Sequence, residues 1–265
     1  MADKPVRIYQ CEDSVSGVLS AVYEAGISGY GHEFIKIRPM AANESYELEL
    51  FTEFIQVETS DKKTVNVLDA VRNKISTKAY NYVMCAAISN FSDRGDAIYQ
   101  FLTYGFSMGR RVCDAMQIPW VKRIFEIRRR VYNEAHFYKE FIRFREVQKS
   151  PALLVATIEP EHRVLPIVME HFSERFAGEW FIILDKKHQE AAFHQKNGGW
   201  ELRILSAGEE KLLAELGEQQ EEYVELWKTF FEHIAITERK NESLQRNMLA
   251  LHYRKHMTEF MGDDN

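Results

Sequence analysis

The chain has 265 residues, 45% of them hydrophobic and 28% charged, and a formal net charge of −6. That is enough apolar material for one large domain or two small ones without covalent staples. Three scattered cysteines (Cys11, Cys85 and Cys113) and no CxxC pair exclude a disulfide framework and a zinc-ribbon or iron–sulfur site, and no apolar run reaches the ~20 residues of a membrane span.

The opening residues, MADKPVRIYQCEDS, lack the apolar core of a signal peptide, so the expected location is cytoplasmic. Residues 6–10 read as a short strand. Asp13 or Ser14 then offers an N-cap to a helix carrying Val15, Val18, Leu19, Val22 and Tyr23 at helical spacing. Residues 34–38 form a second strand, stopped by Pro39, and 53–59 alternate like a third. A helix follows over 65–75. Three more are expected between 79 and 149: 79–89, then 93–116 with an interruption near Gly105 and Gly109, then 120–147 with Pro119 in its first turn.

After Pro151 the period changes. Residues 152–158 are an apolar, β-branched run read as a strand, 165–176 a helix and 180–184 another strand. Residues 190–194 and 200–205 flank Asn197-Gly198-Gly199, a hairpin signal. From Glu209 the chain reads as helical to Phe260, with a break near Asn241. The expected fold is α+β, mostly helical, with a small mixed sheet (β-α-β plus hairpin) in the second half. Residues 1–150 would form a mainly helical subdomain carrying the basic helix 120–147. Residues 151–265 would form an α+β subdomain with C-terminal helices.

Charge is not spread evenly. Residues 109–149 hold eleven Lys/Arg against five Asp/Glu, a local +6 between flanks of −4 and −8. On a helix, Val121, Ile124, Ile127, Val131, Ala135, Tyr138 and Ile142 make one apolar stripe. Arg128, Tyr132, His136, Lys139 and Arg143 make a second, cationic stripe that suits phosphate contact with base or sugar stacking. The blander reading is a solvated face, partly paired with Glu126, Glu134 and Glu140. Gly105-Phe-Ser-Met-Gly109-Arg110-Arg111 lacks the P-loop pattern and reads better as a packing glycine pair or kink, with Arg110 and Arg111 extending the basic surface.

Candidate acid–base groups are His136, Glu134, His162, Glu159 and Asp185. Glu134 and His136, two apart, face different sides of a helix and make a poor metal pair. Glu159, His162 and Asp185 sit where strands end. If those strands are parallel neighbours, His162 and Asp185 converge at one end of the sheet; the plainer alternative is helix capping and a polar turn. His252 and His256 are too few to hold a metal. Arg239 and Lys240 complement a helix dipole or add to a nucleic-acid surface. No metal site and no cofactor is implied.

Several stretches together resemble a bacterial family of unknown function whose members are named as DNA metabolism or DNA repair proteins. They are IYQCEDSVSGVLSAVYEA (8–25), RRRVYNEAHFYKEFIRFRE (128–146), ATIEPEHRVLPIVMEHFSERF (156–176), WFIILDKK (180–187), ELWKTFFEHIAITERKNESLQ (225–245) and YRKHMTEF (253–260). The resemblance covers nearly the whole chain. It implies a neighbouring radical-SAM protein with a DNA-binding segment, or in other relatives fusion to a uracil-DNA-glycosylase-like domain. Matching residues include Glu134, His136, Phe141, Arg143 and Phe144, then Glu159, His162, Pro166, His171, Phe172, Arg175 and Phe176, and Asp185, Trp227, Arg239, Asn241 and Gln245. Glu140 and Leu249 depart from the family, which tends to have glycine at the first position and proline near the second.

Three functions follow as expectations. The first is a DNA repair or modification accessory protein that grips DNA through the basic helix while a partner enzyme, of radical-SAM type, supplies the chemistry. The second is an enzyme acting directly on damaged or modified nucleic acid. The third is an interaction scaffold whose acidic stretch 209–225 docks a basic partner.

Overall fold

The computed structural model describes residues 4–40, 51–147, 152–206 and 208–209. Among them are six α-helices and eight strands in an α+β arrangement. The chain divides into two compact units, Met1–Val131 and Tyr132–Asn265. The division falls inside a long helix, upstream of the composition shift at Ser150-Pro151.

The first unit opens with β1 (Val6–Glu12), α1 (Val15–Ile27), β2 (Ile35–Met40) and β3 (Thr52–Gln56). These strands form a parallel sheet of order β2-β1-β3. Ser14 caps α1 as its spacing predicts, its hydroxyl accepting from the Gly17 N–H at 3.0 Å. Pro39 does not stop β2; it pairs opposite Cys11 within the strand. The proline is tolerated because β2 is an edge, where a missing N–H breaks no ladder. Helices α2 (Asp61–Lys74), α3 (Thr77–Ala87) and α4 (Arg94–Met108) follow, then a 3-10 helix over Gly109–Asp114. Gly109 ends α4 with a positive φ of 60°, a conformation that glycine adopts without a Cβ penalty. The expected interruption of the helix 93–116 therefore sits at Gly109.

Helix α5 spans Pro119–Phe141. Its predicted apolar stripe is buried at Val121, Ile124, Ile127, Val131 and Ala135 and half-buried at Tyr138 and Ile142. The helix does not run on to 147. It stops at Phe141, and Arg145–Val147 become strand β4. Phe144 explains the change. Its ring packs edge-on against Phe172, Phe176 and Phe181, with centroids 5.0–5.7 Å apart. That packing outweighs the helical propensity of the basic run and delivers the next residues to a sheet edge.

The second unit continues with β5 (Leu153–Ile158), α6 (Leu165–Arg175), β6 (Trp180–Asp185), β7 (Glu190–His194) and β8 (Trp200–Ile204). The sheet order is β4-β5-β6-β7-β8. Only β5 and β6 are parallel, joined through α6; the other neighbours are antiparallel. Leu153, Val155, Ile182, Leu184, Ala191, Phe193 and Leu205 form one buried cluster. The β-α-β unit and the hairpin are the elements expected from the sequence. All three cysteines are buried. No helix among the described residues is long and apolar enough to cross a membrane.

If Phe144 ends α5 by its aromatic packing, Phe144→Ala destabilises the protein by ~3 kcal/mol, the scale of a truncated core aromatic. Urea unfolding followed by circular dichroism measures this. Phe144→Leu should recover a large part of the loss.

Candidate functional site

The end of the second unit's sheet gathers the polar groups. Because β5 and β6 are parallel neighbours, the turn after Ile158 and the turn after Asp185 lie side by side. The Lys186 N–H donates to the Ile158 carbonyl at 3.1 Å and holds the two turns together. Glu134 of α5 reaches into the first turn. Its carboxylate accepts from the backbone N–H of Glu161 and, at 2.8 Å, from that of His162. Tyr138, one turn further along α5, has its hydroxyl within electrostatic reach of Glu134, Asp185 and Glu159. Burial raises the Tyr138 pKa, and the nearby Glu134 charge raises it further.

His162 is 3% exposed. Burial pushes its pKa below the usual 6.5, with Glu134 and Glu161 opposing and Lys187 and His188 adding to the drop. Asp185 is fully buried at the end of β6 and accepts from the His188 backbone N–H at 3.1 Å. Its other oxygen lies 2.6 Å from His188 Nδ1. Glu190, buried across the hairpin, pairs with Arg163. Its second oxygen, Oε2, has no hydrogen-bond partner among the described residues. Burial raises the Glu190 pKa against the opposing pull of Arg163.

The turns that carry His162 and Asp185 thus lie side by side, as the strand pattern suggested, and Glu134 holds the first of them by its backbone. Each polar contact found for them is also one that a buried turn requires: Glu134 satisfies two amide donors, and Asp185 caps the turn before β7. His136 is elsewhere. Its side chain is 72% exposed and meets Glu140 at 3.1 Å, one helical turn on. His136 and Glu134 diverge, as positions two apart on a helix do, so the candidate acid–base groups are not all gathered in one place.

The cationic stripe is also redistributed. Arg128 is half-buried in the first unit, its guanidinium 5.2 Å from the Tyr82 ring centroid. Arg110 and Arg111 lie exposed on the 3-10 helix of that unit. Tyr132 is exposed, and Lys139 lies within electrostatic reach of Glu170 and His171 on α6. Arg143 is off the helix altogether and donates to the carbonyls of Phe141 and Ile142, at 3.1 and 3.2 Å. Arg239, Lys240, Asn241, Gln245, Trp227, His252, His256 and the acidic stretch 210–225 lie outside the described residues. Gly105 is a packing glycine, since a Cβ there would come within 2.7 Å of Ile75 Cδ1.

What the end of α5 builds is a cleft of about 390 Å³ in the second unit. Arg143, Arg145 and Lys186 supply three cations to it. Phe137, Phe141 and Ile142 supply its apolar side, and Val155, Thr157 and Ile158 of β5 its sheet side. Phe137 and Phe141 are each 54% exposed, with ring centroids 4.8 Å apart. Neither Phe137 nor Lys186 is among the expected site residues. A usable signal is present all the same: Phe137 and Phe141 are one turn apart and lie off the apolar stripe. Among the described residues no group of three His, Cys, Asp or Glu could hold a metal ion.

The family model of DUF4130, a domain of unknown function, matches residues 92–259, more than half of the chain. The chain belongs to the DUF4130 family. The DUF4130 stretch includes every residue of the cleft and of the polar turns. No curated protein matches the chain. One solved structure, a DHH domain described as a member of a family of ribosomal proteins, aligns over 79% of this chain and 76% of its own. The identity is 10% and the TM-score 0.31, too low a similarity to transfer fold or function.

The depressed His162 pKa has a pH consequence. The folded state resists protonation that the unfolded state accepts, so this contribution is fully present above about pH 6.5 and is lost as pH falls through the folded value. The raised Glu190 pKa acts with the opposite sign: its contribution is present below the usual 4.5 and is lost as pH rises through the folded value. Comparing the melting temperature of wild type and His162→Gln between neutral and mildly acidic pH isolates the histidine. The variant should be less stable at neutral pH and lose less on acidification.

Proposed function

We propose that this DUF4130 protein is a nucleic-acid-binding component of DNA repair or modification, and that the cleft beside the end of α5 is its contact surface. One observation carries the reading: three cations and two exposed aromatic rings line one cleft, in a chain whose net charge is −6. Cations neutralise phosphates and release counterions; aromatic faces take bases or sugars. A face built only for solubility has no use for two phenylalanines that are more than half exposed. Arg143 and Arg145 sit on a short segment, and Lys186 is fixed by its own backbone bond to β5. The three charges are therefore placed by main-chain geometry as well as by flexible side chains.

The accessory role and a radical-SAM partner rest on the resemblance described above. An accessory role also accords with the polar turns, where Glu134 and Asp185 are engaged in holding backbone. Direct catalysis by the isolated chain would instead run through the Asp185–His188 pair, a short carboxylate–imidazole contact next to the cleft residue Lys186. Turnover of a damaged oligonucleotide, abolished in His188→Ala, would establish that second reading.

Binding of labelled DNA across a salt series, read by fluorescence anisotropy, tests the first. Affinity should fall steeply with salt. The triple variant Arg143→Ala/Arg145→Ala/Lys186→Ala should bind at least about tenfold more weakly at low salt, with a log–log slope shallower by ~0.7–0.9 for each phosphate no longer neutralised. Arg128→Ala should matter far less, because that guanidinium already lies over Tyr82. A triple variant that binds as well as wild type, or no binding at low salt, sinks the proposal.

A further inference from the structure

We infer that the cleft takes an unpaired nucleotide, so that the protein selects single-stranded or locally opened DNA over intact duplex. This rests on the nucleic-acid reading above and narrows its substrate. In a duplex, the faces of each base are covered by its stacked neighbours and only base edges reach the grooves. Phe137 and Phe141 offer the opposite kind of contact. They are ring faces and edges, 54% exposed, inclined at 39° to each other across 4.8 Å, one helical turn apart. Such a pair is satisfied by the face of a base, and that face is available only where stacking has been broken.

The rest of the lining agrees. A cleft of about 390 Å³ has the size of a site for a small organic molecule. Beside the three cations, the polar side chains of the lining are the two hydroxyls of Thr157 and Tyr138. Few groups remain to read base edges, so recognition of sequence is weak and recognition of strandedness is strong. Arg143, Arg145 and Lys186 supply the charge that follows a flexible backbone. Groove reading by a helix would need the cationic stripe to be continuous on α5. Instead α5 ends at Phe141, and the arginines that line the cleft come after it.

The experiment compares the full chain binding a labelled thymine oligonucleotide with its binding to a hairpin duplex of equal phosphate count, at one salt concentration. The unpaired form should bind about tenfold tighter or more, the scale of a base–aromatic stack. Phe137→Ala and Phe141→Ala should each lower affinity for the unpaired form by about that factor and leave the weaker duplex affinity in place. Phe137→Leu and Phe141→Leu keep apolar volume without a ring and should fail to restore binding. An aminopurine in the single strand should change its fluorescence on binding to wild type and not to the alanine variants. Equal affinity for both forms, still sensitive to Arg143, Arg145 and Lys186, overturns this inference and leaves the nucleic-acid reading standing. Leucine variants that bind like wild type also overturn it. No binding to either form removes both.

Discussion

Phe144 sets the geometry of the second unit's surface. Its ring is held by Phe172 and Phe176 from α6 and by Phe181 from β6. With that ring fixed, α5 cannot continue, and the chain turns along β5 as an antiparallel edge. Two consequences follow. Arg143 and Arg145, which on a helix would diverge, flank an anchored residue and line the same cleft. Phe137 and Phe141, in the last turns of α5, stand at the edge of that cleft, where a longer helix would have carried the chain past it. A cluster of phenylalanines distant from one another in sequence thus decides where the positive charge goes.

The polar turns serve the same geometry from the other side. Parallel pairing of β5 with β6 brings two turns together, and their backbone donors must find acceptors within the protein. Glu134 supplies one carboxylate for two donors, and Asp185 supplies another for the following turn. A charge-assisted bond of this kind contributes ~1.5–3 kcal/mol, and removing one partner exposes the full desolvation cost of the other. Glu134 lies in the same C-terminal turns of α5 as Phe137 and Phe141, within the second unit, so its grip on the 159–162 turn also holds those turns against the sheet. The buried Asp185–His188 pair and the half-buried Arg163–Glu190 pair stiffen the hairpin beside it.

Much of this was legible in the sequence. The strands of the second unit were marked by apolar, β-branched runs, and the Asn197-Gly198-Gly199 turn by its composition. The adjacency of the turns after β5 and β6 followed from reading those strands as parallel neighbours. The Ser14 cap and the buried stripe of α5 followed from spacing alone. Three features were not legible locally. The end of α5 depends on aromatic partners well downstream, which helical periodicity cannot register. Pro39 stays in its strand only because that strand is an edge, a property of topology. The division of the cationic stripe depends in part on a tertiary partner, the Tyr82 ring that Arg128 meets. The pairing of Glu140 with His136 was visible as an i,i+4 spacing, and it explains why that part of the helix offers less positive charge than its composition suggests.

The aromatic pair is the part of this surface that packing alone does not explain. Burying a phenylalanine fully is worth about 1.5–3 kcal/mol, so two rings left more than half exposed forgo on the order of 1 kcal/mol each. Their mutual contact recovers only a fraction of that, since an aromatic pair adds ~0.5–1.5 kcal/mol beyond its area. Single exposed apolar side chains are ordinary on protein surfaces; two in ring contact at the mouth of a cationic cleft form a local apolar patch next to a charged one. Water solvates the charges well and the rings poorly. A ligand that covers both must be anionic along one side and planar and apolar along the other. A nucleotide freed from its stack has that division, with phosphate and base separated by a sugar. On the function proposed above, the free energy that folding leaves unrealised at Phe137 and Phe141 would be recovered on binding, where it would discriminate between stacked and unstacked bases in a way that charge alone cannot.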